Sequence, residues 1–433
     1  MQINRDFYKN QLIKAAGNGL VKVITGIRRV GKSFLLFSIY RDYLREIGVD
    51  DRHVITVQLD DDDYAELRMP RNLSAWIKAR LPQDGRPTYV FIDEIQLCKP
   101  PREELGLPTC VTFYDVLNSL MKKPGVDVYV TGSNSEMLSK DIVTNFRDRS
   151  TEIRVWPLSF SEFYAVSGLE KAEAWDQYLI WGGMPLAVLS SDAVSRSAYL
   201  ESLFERVYIK DIAERYGLHD AGHVLGMLLN VLSSNIGCLV NPRRLAAILR
   251  AECRVNVSEP TLARYLDHVC DSFLFNQAER WDVKGNRYLT SPSKYYAVDM
   301  GLRNARVNFR QIETSHLMEN AIYNELVRRG CRVDVGVVHS VEKDADGKSV
   351  KKQREIDFVV NVGMKKIYIQ SALEIETDGK FLQETASLMR TGDFFRKVLV
   401  VGGSSSPRTD SNGYLVVGVI PFLMNETILD SIA

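Results

Sequence analysis

A short glycine-bounded loop followed by a lysine and a serine is the first stretch of this 433-residue chain whose spacing could do chemistry. The residues of this stretch are Gly26, Ile27, Arg28, Arg29, Val30, Gly31, Lys32, Ser33 and Phe34. In such a loop the backbone N–H groups wrap a β-phosphate, the lysine reaches the β and γ oxygens, and the hydroxyl ligates Mg²⁺. The stretch therefore predicts a site for ATP with Mg²⁺. The side chains of Arg28 and Arg29 either contact phosphate or point toward a neighbouring subunit or domain, since only the loop backbone must touch the ligand.

Two consecutive carboxylates end the apolar run "YVFIDE" at residues 89–94. Asp93 is placed to position the magnesium shell, and Glu94 is placed to polarise the water that attacks the γ-phosphate. Lys32 and Ser33 act on the bound nucleotide and metal, whereas Glu94 acts on the nucleophile during the reaction. We therefore expect nucleotide binding to depend on Lys32 and hydrolysis to depend on Glu94.

The elements that must position these residues are short apolar runs that alternate with helical patterns between residues 20 and 155. The strand-like runs include "VKVITG", "HVITVQL", "TYVFIDE" and "VDVYVTGS", and the helical ones include "NLSAWIKARL" and "FYDVLNSLMKK". Parallel strands need a crossover of this length, and runs without polar alternation suit strands that are buried on both faces. The pattern predicts an α/β fold with a parallel, doubly wound sheet of the P-loop type.

Composition limits which partners, metal sites and cellular locations the chain can have. Apolar residues make up 45% of the chain, and 55 basic residues balance 55 acidic ones. Without a global positive field, a nucleic-acid surface has to be a local patch. The six cysteines show no metal-ligand spacing. The chain has no signal pattern at its N-terminus and no run of eighteen apolar residues. We expect a soluble cytoplasmic protein without a membrane partner.

The pattern changes after about residue 155, and we predict four domains. Continuous helical periodicity begins with a capping box formed by Ser159 and Glu162. Two amphipathic helices and a hairpin that turns at residues 284–286 then outline a winged helix-turn-helix, and a helix followed by strands, the last being "LVVGVIPF", ends the chain. The predicted division is a P-loop core at 1–155, a helical lid or linker at 156–218, a winged helix-turn-helix at 219–298 and a small α/β domain at 299–433.

Several stretches together resemble the AAA-type P-loop ATPases of bacteria and archaea that carry a C-terminal domain of unknown function. They are "VITGIRRVGKSFLL", "FIDEIQ", "VYVTGSNSEMLS", "VWPLSFSEF", "YLIWGGMPLAV", "KYYAVDMGLRNA", "MENAIYNELVRRG" and "REIDFVV". The resemblance covers nearly the whole chain. It implies hydrolysis of a nucleoside triphosphate and leaves the physiological substrate open.

The resemblance also implies further catalytic residues. Ser133 or Asn134 would be the polar sensor that bonds the γ-phosphate or the attacking water. An arginine from a neighbouring subunit would stabilise charge in the transition state, which requires a homo-oligomer. The family usually shows a Gly-Arg pair where this chain has Asp148-Arg149, so both Arg149 and Arg147 stay open for that role.

The predicted winged helix leaves two kinds of partner open. The outer face of "VSEPTLARYLDHV" carries Arg264 as its one basic residue, beside the acidic Glu259 and Asp267. Other basic residues could reach phosphates from the first helix and the wing; they are Arg243, Arg244, Lys284 and Arg287. The chain is therefore either an ATPase that acts on DNA through this domain or a scaffold-type signalling ATPase with protein partners.

The run "REIDFVVNVGMKKIYIQSALEI" resembles the strand pair of the restriction-endonuclease-like fold. Glu319 matches the helix acid of that site, Asp357 the strand acid and Gln370 the next position. The lysine position is Ala372, and Lys365 or Lys366 would have to move into the site to replace it. A water beside Asp357 would otherwise lack the charge that orients and activates it. We therefore predict a degenerate, non-cleaving domain for binding or assembly, with an ATP-dependent nuclease as the alternative.

Overall fold

The computed structural model of the chain describes residues 3–132, 149–218, 222–310, 312–343, 349–375 and 377–429. The chain divides into two compact units, Met1–Trp156 with Asp271–Phe273 and Pro157–Cys270 with Leu274–Ala433. None of the helices within the described ranges is long and apolar enough to cross a membrane. The boundaries at 155, 218 and 298 stay predictions.

The first unit is built on a parallel sheet, as the alternating pattern predicts. Its described strands are β1 (Val21–Thr25), β2 (Val54–Gln58), β3 (Thr88–Asp93), β4 (Val126–Thr131) and β5 (Ser150–Arg154). They lie in the order β2-β3-β4-β1-β5, and every described pair is parallel. The strand β5 was not among the predicted ones, because "STEIR" is a polar edge strand without an apolar run.

Helices connect these strands. They are α1 (Asp6–Ala15), α2 (Lys32–Phe34), α3 (Arg41–Glu46), α4 (Pro70–Arg80) and α5 (Phe113–Met121). The π-helical segment Leu35–Tyr40 joins α2 to α3 without a break. Thr112 and Asp115 form a capping box that begins α5. Apolar side chains from the strands, α4 and α5 form one buried cluster on a face of the sheet.

The second unit begins with helices. They are α6 (Phe160–Ser167), α7 (Lys171–Trp181), α8 (Pro185–Leu189), α9 (Ala193–Ser202), α10 (Lys210–Arg215) and α11 (Gly222–Ser234). The predicted capping box at Ser159 and Glu162 is confirmed, since each side chain accepts the other's backbone N–H. The helices α12 (Pro242–Cys253) and α13 (Glu259–Asp271) follow at the two predicted amphipathic segments.

A single sheet continues through the rest of the second unit. Its described strands are β6 (Leu239–Val240), β7 (Phe275–Asp282), β8 (Arg287–Ala297), β9 (Arg332–Lys343), β10 (Ser349–Val362), β11 (Lys365–Ala372), β12 (Arg396–Val401), β13 (Arg408–Thr409) and β14 (Leu415–Gly418). Their order is β13-β14-β12-β11-β10-β9-β7-β8-β6. The predicted hairpin is confirmed, because β7 and β8 pair antiparallel on either side of residues 284–286. This hairpin joins the C-terminal strands where β7 pairs with β9.

Four helices of the described ranges lie between or after these strands in the sequence, and one of them corrects the predicted strand "LVVGVIPF". The helices are α14 (Met300–Arg306), α15 (Thr314–Arg328), α16 (Asp378–Thr385) and α17 (Val419–Met424). The strand β14 ends at Gly418, and the helix α17 begins at the next residue. Pro421 explains the change, because proline cannot donate to a strand ladder but is tolerated in the first turn of a helix.

Asp299 holds two segments of the second unit together. Its carboxylate accepts the N–H of Gly183 at 2.6 Å and the N–H of Leu302 at 2.9 Å, at the start of α14. A Cβ on Gly182 would collide with this carboxylate. The two glycines of "WGGMP" and the aspartate of "VDMG" are therefore parts of one buried contact.

Burial raises the pKa of Asp299 from 3.8 to about 6, although the N–H donors oppose the rise. Between these pH values the unfolded chain has lost the proton that the folded chain keeps, so stability falls as the pH increases from 4 to 6. Asp299→Asn cannot ionise. We expect the free energy of unfolding of the wild-type chain, relative to that of this variant, to fall by about 2 kcal/mol from pH 4 to pH 7. Denaturant unfolding at several pH values measures this, and parallel curves for the two chains would contradict it.

Candidate functional site

The glycine-bounded loop leaves the carboxyl end of β1, all of whose residues are buried. Gly26 has φ 139°, and a side chain there would collide with the carbonyl oxygen of Val155. Gly31 has φ 95° and directly precedes α2, so both glycines are required by the backbone. Arg29 also adopts a left-handed conformation, with φ 65°. The loop thus makes a tight turn between β1 and α2, the place at which a phosphate-binding loop is expected.

The ammonium of Lys32 lies at the centre of this loop. The side chain donates to the carbonyl oxygen of Gly26 at 3.0 Å and to that of Ile27 at 3.2 Å. Burial lowers the pKa of Lys32 from 10.5 to about 8, and the charges of Glu94 and Asp93 act in the opposite direction. Lys32 therefore shares one electrostatic environment with the two acids at the end of β3.

Arg5, which directly precedes α1, supports the backbone of the loop. Its guanidinium donates to the carbonyl oxygen of Val30 at 3.4 Å and to that of Trp156 at 2.6 Å. The Tyr8 hydroxyl accepts the Trp156 N–H at 3.0 Å. The segment before β1 thus fixes the position of the loop backbone.

Asp93 and Ser33 are brought together as the motif predicts. Asp93 is 2% exposed, and its carboxylate accepts hydrogen bonds from the hydroxyls of Thr131 and Ser33. Burial raises the pKa of Asp93, which these hydrogen bonds oppose. Mg²⁺ prefers oxygen ligands, and the Ser33 hydroxyl and the Asp93 carboxylate are hydrogen-bonded to each other. These two groups therefore fit the metal that the loop implies.

Glu94 occupies a constrained position beside this pair. Its backbone has φ 49°, and its N–H donates to the Thr131 hydroxyl at 3.1 Å. Its carboxylate accepts a hydrogen bond from the Gln96 side chain. Thr131, at the end of β4, therefore positions both acids. Sequence reasoning missed it, although it lies only two positions before the predicted sensor residue Ser133.

Three predicted residues lie outside the described part of the chain. They are the sensor candidates Ser133 and Asn134 and the arginine candidate Arg147. Their roles stay predictions.

Arg149 lies at the amino end of the parallel strands, whereas the phosphate loop lies at their carboxyl end. Its carbonyl oxygen accepts the N–H of Val21, the first residue of β1, at 3.1 Å. The five residues of β1 span about 16 Å, at about 3.3 Å per residue. The exposed Arg149 side chain lines an open basic cavity of about 550 Å³ with Lys78, Lys122 and Lys123. Arg149 is therefore too distant to reach the phosphate loop of its own chain.

The second predicted cluster is assembled around a lysine that sequence reasoning did not select. Lys294, on β8, donates to Glu319 at 2.8 Å and to Glu355 at 2.7 Å. The carboxylate of Asp357 accepts the amide of Gln370 at 2.9 Å. The structure thus brings Glu319, Asp357 and Gln370 into one buried region of the second unit.

Neither lysine that could have replaced the one missing at Ala372 enters this region. Lys365 is exposed, and the ammonium of Lys366 lies 5.7 Å from the ring centroid of Trp281 and 4.9 Å from that of Phe395. The side chain that approaches the carboxylates instead comes from β8, outside the strand pair. The alternative that Lys365 or Lys366 moves into the site is therefore wrong.

Comparisons with known proteins match two successive segments of the chain. Residues 18–164 match a family described as "AAA domain", and residues 172–313 match a "Domain of unknown function (DUF8612)". An uncharacterized protein of Haemophilus influenzae is 30% identical over 427 residues, covering 98% of each chain. An uncharacterized protein of Methanocaldococcus jannaschii is 26% identical over 394 residues, covering 87% of this chain and 79% of that one.

Solved structures show only weak similarity. The Aeropyrum pernix ORC2 protein, in ADPNP and ADP complexes, is 12% identical, with a TM-score of 0.34, over 70% of this chain and 91% of that chain. The delta protein of the Bacillus subtilis DNA clamp loader is 11% identical, with a TM-score of 0.27, over 60% of this chain and 87% of that chain. Similarities of this size carry no conclusion about function.

Proposed function

Because the chain carries an AAA domain and belongs to one family with the uncharacterized Haemophilus influenzae protein, we propose that it binds ATP with Mg²⁺ and hydrolyses it at the loop after β1. The observation that carries this proposal is the convergence of Lys32, Ser33 and Asp93 at one end of the sheet. It is tested by measuring ATP binding and phosphate release in the wild-type chain and in Glu94→Gln.

Each residue has a separate part in the proposed reaction. The loop N–H groups and Lys32 bind the β- and γ-phosphates, while Ser33 and Asp93 hold the metal. When bound, Mg²⁺ neutralises charge on the phosphate oxygens. Glu94 accepts a proton from the water whose oxygen attacks the γ-phosphorus. The bond to the bridging oxygen then breaks, and ADP and phosphate leave.

Arg149 acts in this proposal on the nucleotide of a second copy. Arg149 lies at the amino end of the strands, too far from the phosphate loop to contact a nucleotide bound by its own chain. The basic cavity that it lines suits an anionic surface of a second copy. An arginine supplied in this way stabilises charge that develops in the transition state. We therefore propose a homo-oligomer as the active form.

A second candidate function, binding of single-stranded nucleic acid, has support from one surface of the second unit. The lysine–aromatic surface consists of Trp281, Tyr288, Lys366, Phe394 and Phe395. These residues come from the hairpin β7–β8, from the start of β11 and from the two positions before β12. The Trp281 and Tyr288 rings are 4.8 Å apart, and Lys366 lies between the rings of Trp281 and Phe395.

Exposure and charge favour nucleic acid at this surface. Phe394 is fully exposed, and Tyr288 is 53% exposed. Three further basic side chains are exposed, two on the hairpin β7–β8 and one at the start of β11: Lys284, Arg287 and Lys365. Single-stranded nucleic acids bind to surfaces where aromatic rings lie beside basic side chains. Every base can stack on a ring, and every phosphate can pair with a positive charge. A protein partner remains the alternative for the scaffold-type ATPase.

Phe394→Ala is expected to weaken binding of a labelled 20-nucleotide oligo-dT by about tenfold, since one stacked base contributes about 1–3 kcal/mol. Lys366→Gln is expected to weaken binding and to reduce the slope of log affinity against log salt concentration by about one. Fluorescence anisotropy at two salt concentrations measures both effects. Leu105→Ala, at an exposed apolar residue of the first unit, is the matched control. Equal affinities for all four chains, or no binding at all, would contradict the proposal and favour a protein partner.

A further inference from the structure

The basic cavity at the amino end of the strands in the first unit has an excess of positive charge. Four cationic side chains line it, which are Lys78 on α4, Lys122 and Lys123 directly after α5, and Arg149. None of the four forms an ion pair within the described part of the chain. Asp115 also lines the cavity, but its carboxylate accepts the N–H and the hydroxyl of Thr112, each at 2.8 Å. The cavity therefore suits an anionic partner that carries several charges.

The carboxyl end of the same sheet carries an acidic segment, residues 60–63, which follows β2. All four of its residues are exposed aspartates. Arg68 donates to the carbonyl oxygen of Leu59 at 2.7 Å, just before the segment, and its guanidinium lies 3.7 Å from the carboxylate of Asp62. The Asp62 side chain is fully exposed, so this ion pair contributes little. The segment thus presents an excess of negative charge to solvent.

The acidic segment borders the proposed nucleotide site. The N–H of Leu59 donates to the carbonyl oxygen of Asp93 at 3.4 Å, at the ends of β2 and β3. Burial is the main cause of the raised pKa of Asp93, and the charge of Asp60 adds to it. A partner that docks on the segment therefore comes close to the residues that are proposed to hold Mg²⁺.

We propose that the acidic segment of one copy docks in the basic cavity of a second copy, and that this contact brings Arg149 to the neighbouring nucleotide. The inference rests on the proposed function, in which Arg149 serves a second copy. Arg149 is itself part of the cavity lining, so a segment that fills the cavity lies beside it. Opposite charges on the two surfaces attract, and the chain has no formal net charge that would keep copies apart.

The position of the two surfaces requires that different copies make this contact. The cavity lies before the strands and the acidic segment lies after them, and β1 alone spans about 16 Å, at about 3.3 Å per residue. One copy therefore cannot place its own segment in its own cavity. Each copy has both surfaces, so it can offer its cavity and its segment at the same time.

Reversing the charge of either surface tests the contact. The cavity variant carries Lys78→Glu and Lys122→Glu, and the segment variant carries Asp62→Lys and Asp63→Lys; both keep Arg149. Each variant alone should still bind ATP but sediment as a monomer with ATP and Mg²⁺, where the wild-type chain assembles. Each should also lose about a thousandfold or more in turnover, because Arg149 no longer reaches a neighbouring nucleotide. Analytical ultracentrifugation and phosphate release measure the two effects.

An equimolar mixture of the two variants should regain both assembly and turnover. The acidic segment of the cavity variant then meets the unchanged lysines of the segment variant, and the lysines introduced at 62 and 63 meet the glutamates introduced at 78 and 122. Misfolded chains could not be rescued in this way. Glu46→Lys, which reverses an exposed charge at the end of α3, is the matched control and should assemble as wild type.

Three outcomes would overturn the contact. They are a wild-type chain that stays monomeric with ATP and Mg²⁺, a mixture that is no more active or assembled than its separate chains, and a cavity variant that assembles as wild type. The last would assign the cavity to another anion, such as a nucleic acid. A wild-type chain whose assembly responds to both reversals but which releases no phosphate would support the contact and contradict the proposed hydrolysis of ATP.

Discussion

Glu94→Gln is expected to bind ATP as the wild-type chain does and to hydrolyse it at least about a hundredfold more slowly. The substitution removes the proton acceptor but leaves Lys32, Ser33 and Asp93, which bind nucleotide and metal. The left-handed backbone of residue 94 is held by a bond from its N–H to Thr131, which does not involve the carboxylate. Binding of a fluorescent ATP analogue and release of phosphate separate the two effects.

Two further variants complete this experiment. Lys32→Ala should lose nucleotide binding itself, because the ammonium acts on the bound phosphates. Glu46→Gln, at an exposed acid at the end of α3, should behave as wild type. Hydrolysis by Glu94→Gln at the wild-type rate would remove Glu94 from the proposed mechanism.

Arg149→Ala should retain ATP and lose about a thousandfold or more in turnover, the range that arginines supplied to a phosphoryl-transfer site contribute. The distance from Arg149 to its own loop makes the second copy the recipient. Chains that carry only Arg149→Ala or only Glu94→Gln should each be inactive. Mixing the two should restore activity, because one chain then supplies the arginine and the other supplies the glutamate.

Lys123→Ala is the matched control, because it removes a positive charge from the same cavity without removing the arginine. Arg147→Ala and the double variant with Arg149→Ala test the rival residue. Unchanged turnover in the double variant would contradict an active site that two copies share. Inactivity of the mixture would contradict the assignment of Arg149 to a neighbouring copy.

The fold of the first unit follows largely from local pattern. Apolar strand runs and the intervening helices predict that the strands are parallel, and the glycine spacing places the phosphate loop after β1. The edge strand β5 escaped prediction because its alternating polar residues lack the apolar run of a central strand. Pro421 argues against a strand at that position, but the apolar run before it suggested a longer strand.

Residues that act across strands could not be predicted. Lys294 contacts Glu319, which lies 25 positions later in the chain, and the contact depends on how the hairpin β7–β8 joins the sheet. No spacing rule connects these two residues. Thr131 was similarly missed, since its role depends on the neighbouring ends of β3 and β4. Motif spacing thus identified the residues of one loop, but not the residues that tertiary pairing brings to them.

The continuous sheet of the second unit limits how that unit can be divided or moved. The strand β9 is paired with β7 on one side and with β10 on the other, so the hairpin cannot swing as an independent wing without breaking backbone hydrogen bonds. A protein cut at residue 298 would expose the edge of β9, a surface prone to aggregation. It would also leave Glu319 and Glu355 without Lys294. The hairpin and the C-terminal strands are therefore expected to move as one rigid body.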